Sequence, residues 1–74
     1  SIFPNPFQNS FTLESNEVYS EIFLNNTTGK KIKANIIFQN GKYTINLENV
    51  SSGLYFLNLI TTEKTLIKKV FKLD

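Results

Sequence analysis

The 74-residue chain predicts an all-β domain, a sandwich or barrel of about seven short antiparallel strands. Three observations carry that expectation. Short apolar runs recur along the whole chain, separated by segments rich in Asn, Ser, Thr, Gly and Pro, which is the punctuation of a strand-and-turn protein. Several of the runs alternate apolar and polar residues with period two. Asn40-Gly41 stands between two of them, and that pair best tolerates the positive φ that a tight hairpin turn demands. No stretch repeats its apolar residues at helical spacing over a competing length.

The predicted strands span residues 2–3, 10–14, 18–25, 31–38, 43–47, 54–60 and 66–72. The first is short because FPNPF stops it. Each proline drives the residue before it, Phe3 and Asn5, into extended geometry, and Pro4 and Pro6 cannot donate to a ladder. A stiff turn follows. Residues 10–14 and 18–25 are bounded by turn segments at SNE and NNTTGK. In 31–38, Ile32, Ala34, Ile36 and Phe38 share one face, opposite Lys31, Lys33 and Asn35. In 43–47, Tyr43, Ile45 and Leu47 share a face opposite Thr44 and Asn46. With Asn40-Gly41 between them, these two runs should pair antiparallel. Residues 54–60, LYFLNLI, are apolar on both faces. A central strand covered on its second side reads this way, and so does one presenting Phe56 to a partner. In the last run Lys68 and Lys69 are adjacent, so they point to opposite faces. An inward lysine guards an edge strand against unwanted pairing, and the last strand is therefore expected at an edge.

Composition narrows the function by exclusion. The apolar share of 41% fits one small globular domain. With no cysteine there is neither a disulfide framework nor a thiolate metal site. With no histidine the commonest general base and metal ligand is missing. The net charge of +2 comes with lysine as the sole basic residue, whereas nucleic-acid readers present denser clusters and use arginine for bidentate contacts. No run is long enough to cross a bilayer as a helix, so neither nucleic acid nor membrane insertion is expected. The six carboxylates, Glu14, Glu17, Glu21, Glu48, Glu63 and Asp74, fall in turns or on polar strand faces, with no spacing that would form a catalytic pair. The glycines Gly29, Gly41 and Gly53 are isolated and make no phosphate loop. The sequons at Asn25, Asn26 and Asn49 are what chance provides among ten asparagines. No enzymatic activity, catalytic residue, metal or cofactor is expected.

Four stretches, taken in order, carry a resemblance: IFPNPFQNSFTL, NNTTGKKI, NGKYTINLENVSSGLYFLNL and KTLIKKVFKLD. Together they span residues 2–72 and resemble the C-terminal sorting domain (type A) of the type IX secretion system of Bacteroidetes. Singly each is common; four in that order and spacing are specific. The one departure is NNTT before Gly29, where many members carry an acidic and apolar mix.

The resemblance implies an immunoglobulin-like sandwich of about seven strands. It implies a domain attached to an exported cargo, recognised in the periplasm by shuttle proteins and the type IX translocon, and guided across the outer membrane. A surface cysteine peptidase with sortase-like activity then removes it, at or before Ser1, and the cargo is released or anchored at the cell surface. The signature positions carried over are Pro4, Asn5 and Pro6, Gly29, Gly53 and Tyr55, and Lys68 and Lys69. Gly53 would supply backbone freedom at the re-entry to the sheet, and Tyr55 would anchor that strand in the core. A competing reading is an immunoglobulin-like module binding carbohydrate or protein through an aromatic platform of Phe56, Tyr19 and Phe23. A third is a structural spacer.

Overall fold

The computed structural model describes residues 1–74 and contains eight strands and no helix. They are β1 Ile2–Phe3, β2 Ser10–Glu14, β3 Glu21–Asn25, β4 Lys31–Ile32, β5 Asn35–Gln39, β6 Lys42–Asn46, β7 Gly53–Ile60 and β8 Thr65–Lys72. Two four-stranded sheets form, in the orders β1-β2-β6-β5 and β4-β3-β7-β8, with every strand pair antiparallel. Each sheet thus takes alternate stretches of the chain. This is the strand order of an immunoglobulin-type sandwich.

The period-two residues face inward as their alternation requires. Phe11, Leu13, Tyr43 and Ile45 of the first sheet meet Leu24, Tyr55, Leu57, Leu59 and Val70 of the second, with Phe7 and Leu47 filling the ends. Eleven side chains make up this core. In so small a domain each carries a large share of a stability that totals only ~5–15 kcal/mol. The Asn40-Gly41 hairpin forms as expected, with φ of 53° and 75° at its two central residues and Gln39 opposite Lys42. β7 is central, between β3 and β8, and β8 is the outer strand of its sheet.

Two expected strands are redrawn. The run 18–25 yields a strand only from Glu21, because residues 15–19 turn back on themselves. Ser15 Oγ accepts the Glu17 amide at 3.1 Å, Tyr19 N–H donates to the Tyr43 hydroxyl at 3.2 Å, and Val18 is left exposed. The run 31–38 divides into β4 and β5, which belong to different sheets. Ile32 lies opposite Leu24 in the second sheet and Ile36 opposite Ile45 in the first. The chain crosses at Lys33 and Ala34 while Ile32, Ala34 and Ile36 all stay against the core. One alternating face therefore serves both sheets.

Candidate recognition surface

The first segment after β1 also changes sheets. Phe3 pairs with Thr12 in the first sheet, and four residues later Phe7 forms a parallel bridge to Lys72 in the second. Phe7 N–H donates to the Phe71 carbonyl at 2.9 Å, and Leu73 N–H donates to the Phe7 carbonyl at 2.7 Å. Between these points lie two prolines, whose preceding peptide bonds are both cis and which offer no backbone donor. The asparagine between them compensates with its side chain. Asn5 Nδ2 donates to the Lys69 carbonyl at 3.1 Å, and its Oδ1 accepts from Phe71 N–H at 2.9 Å. The Asn5 amide thus stands where a neighbouring strand's peptide would stand. Behind it, Phe7 is fully buried and meets the Phe11 ring at 4.8 Å.

β8 carries Lys68 and Lys69 on opposite faces. Lys68 shares the core-facing side with Leu66 and Val70, yet is exposed. Lys69 lies on the outer side with Ile67 and Phe71. Neither belongs to an ion pair; the three that form are Lys31–Glu21, Lys42–Glu14 and Lys64–Glu17, all on the surface. Lys72 takes the core side too and is buried, with Nζ reaching out to the Leu73 carbonyl at 3.0 Å, the usual posture of a lysine whose stem packs while its head seeks polar company.

Gly53 opens β7 at a φ of 138°, a conformation that side-chain-bearing residues rarely adopt, and lies opposite Lys72. Two residues on, Tyr55 is buried and its hydroxyl donates to the Ser51 carbonyl at 2.6 Å. A buried tyrosine at this corner, bonded back to the chain just upstream, is a hallmark of immunoglobulin sandwiches. Gly29, at φ 88°, closes the turn from β3 to β4 on the other edge of the same sheet. That turn is organised by Asn26, whose Oδ1 accepts from Thr28 N–H, Thr28 Oγ1 and Lys30 N–H at 2.8–3.0 Å. The NNTT variation therefore supplies its own internal hydrogen bonds.

Of the eight signature positions, Pro4, Asn5, Pro6, Lys68 and Lys69 come together at the β8 edge, Gly53 and Tyr55 begin the adjacent strand, and Gly29 lies apart. Sequence reasoning missed Asn26 as the organiser of its turn and Asn58 as a buried polar residue. Asn58 Nδ2 lies within 2.7–3.3 Å of Asn25 Oδ1 and the Phe23 and Phe56 carbonyls, tying β7 to β3.

The proposed aromatic platform does not assemble. Phe23 and Phe56 sit on the outer face of the second sheet, but Tyr19 turns away to pack against Tyr43, with ring centroids 5.7 Å apart and planes tilted by 52°. Lys31 Nζ already covers the Phe23 ring at 4.6 Å. The outer faces of the two sheets differ in kind. The middle of the first presents Thr12, Glu14, Lys42 and Thr44, whereas β7 and β8 present Leu54, Phe56, Ile67 and Phe71.

The chain is thus an immunoglobulin-type sandwich whose N-terminal Pro-Asn-Pro segment is fastened to its outer strand β8. The family model for the secretion system C-terminal sorting domain matches residues 1–72, and the chain belongs to that family, the sorting signal of type IX secretion. No curated protein and no solved structure matches the chain. Membership makes the domain a sorting signal rather than a member of an enzyme family, and implies a secreted or cell-surface destination.

Proposed function

We propose that the folded domain acts as an address on a cargo protein attached ahead of it. In the periplasm, shuttle proteins and the type IX translocon bind the domain and move the cargo across the outer membrane. A sortase-like surface peptidase then severs the domain, and the cargo is released or anchored. The chain supplies no chemistry to these steps. It supplies a surface.

One observation carries this reading furthest. Two stretches that carry the resemblance, residues 4–6 and the lysine-bearing β8, meet where Asn5 donates to the Lys69 carbonyl 64 positions away. Folding brings them into one contiguous edge, so a receptor reading that edge senses both stretches and the integrity of the sandwich together. Lys68 and Lys69, free of carboxylate partners, would draw this edge toward an acidic receptor, mainly by raising the association rate. The test is a reporter carrying a signal peptide at one end and this domain at the other, expressed in a type IX-competent host and located by cell fractionation. Export supports the reading; a folded reporter held in the periplasm contradicts it.

A further inference from the structure

We propose that the open half of β8, residues 65–69, receives an extended acidic strand of a partner protein, which adds to the second sheet beside it. This rests on the sorting reading above and specifies how the partner engages the domain.

Backbone polarity defines the docking site. In an antiparallel pair, successive residues turn their N–H and C=O groups alternately toward one neighbour and the other. Asn5 and Phe7 occupy the outward groups of β8 at the Lys69 carbonyl, at Phe71 and at the Leu73 amide. The same alternation turns the N–H and C=O of Thr65 and Ile67, and the N–H of Lys69, to the outside, where no hydrogen bond meets them. A peptide strand satisfies such a row and gains its affinity from main-chain bonds. The other edges fit less well. β1 and β4 have two residues each, and β5 carries no charge with which to select a partner.

Side chains define the occupant. Lys68 and Lys69 are unpaired and face opposite sides of the strand, so a complementary strand places acidic residues at adjacent positions, one on each face. Ile67, 59% exposed on the outer side, calls for a β-branched residue beside that pair. A second copy of this chain fits less well as occupant, because joining β8 to β8 gathers four lysines along one seam.

The probe is a capped heptapeptide of alternating valine and threonine with an aspartate–glutamate pair at its centre, titrated into the isotope-labelled domain. We expect the amides of Thr65, Ile67 and Lys69 to exchange at least tenfold more slowly when peptide is bound, and a peptide with lysines in place of the acids not to bind. Ile67→Pro removes an outward N–H and no bond to β7, so it should weaken binding at least tenfold while the melt stays cooperative. Unchanged exchange at the three amides overturns the proposal, and so does equal binding by a folded Ile67→Pro; the exchange result stands alone if that variant does not fold. Export separates strand addition from sorting. Retention of a folded Ile67→Pro fusion beside normal wild-type export supports strand addition, and normal export of both contradicts it with the sorting reading intact. Retention of the wild-type fusion overturns the sorting reading itself.

Discussion

Phe71 N–H donates to the side-chain oxygen of Asn5, 66 positions earlier in the chain, at 2.9 Å. The same amide group returns a bond to the Lys69 carbonyl, so one side chain fastens the start of the domain to its last strand. Asn5→Ala removes both bonds. At ~0.5–1.5 kcal/mol each, it should cost about 1–2 kcal/mol at this exposed site and lower Tm by roughly 4–8 °C per kcal/mol. Thermal melting checks the loss, and faster amide exchange at Phe71 than in the wild type locates it.

Tyr55 combines two contributions that separate substitutions can resolve. Tyr55→Phe keeps the ring in the core and deletes the bond to the Ser51 carbonyl, at a cost of about 0.5–1.5 kcal/mol. Tyr55→Ala also empties the ring's space, at about 3–5 kcal/mol, which is much of what a domain of this size has. Denaturant unfolding of the pair should therefore give losses that differ severalfold. Equal losses would assign the whole effect to the corner hydrogen bond.

Asn58 is buried on a strand face that is otherwise apolar. Asn58→Ala leaves Asn25 Oδ1 without its donor and removes the side-chain bonds that supplement the backbone ladder at the Phe23 and Phe56 carbonyls. We expect a destabilisation of about 1–3 kcal/mol, measured by chemical unfolding, with the amide-exchange changes concentrated where β3 meets β7.

Lys68→Gln with Lys69→Gln tests recognition apart from folding. Both side chains are exposed and outside any ion pair, so the double change should alter stability by no more than about ±0.5 kcal/mol. Cargo carrying the variant should nonetheless accumulate in the periplasm. Normal export of the folded double variant would remove these lysines from the recognised surface.

The sequence disclosed the strands better than their partners. Alternation in KYTINLEN and the Asn-Gly between two runs located the β5–β6 hairpin, because those signals are local. The division of 31–38 was hidden, since Ile32, Ala34 and Ile36 keep one period-two face while the chain passes from sheet to sheet. Nothing local marks that crossing. The edge position of β8 was legible from its adjacent lysines. Asn5 as a substitute strand was not, because its partners lie more than sixty residues away and the contact imitates a backbone ladder with a side chain. Gly53 and Tyr55 were readable as turn and anchor, while the Ser51 bond completing the corner required the loop's path.

This fold should address a cargo to type IX export. The most direct test places one reporter, fused to residues 1–74 and led by a signal peptide, in two otherwise identical hosts, one with the translocon and one without. The reporter should appear outside the first and stay in the periplasm of the second, and removing β8 should retain it in both. Equal distribution between the two hosts, with the fusion folded and intact, would contradict that expectation.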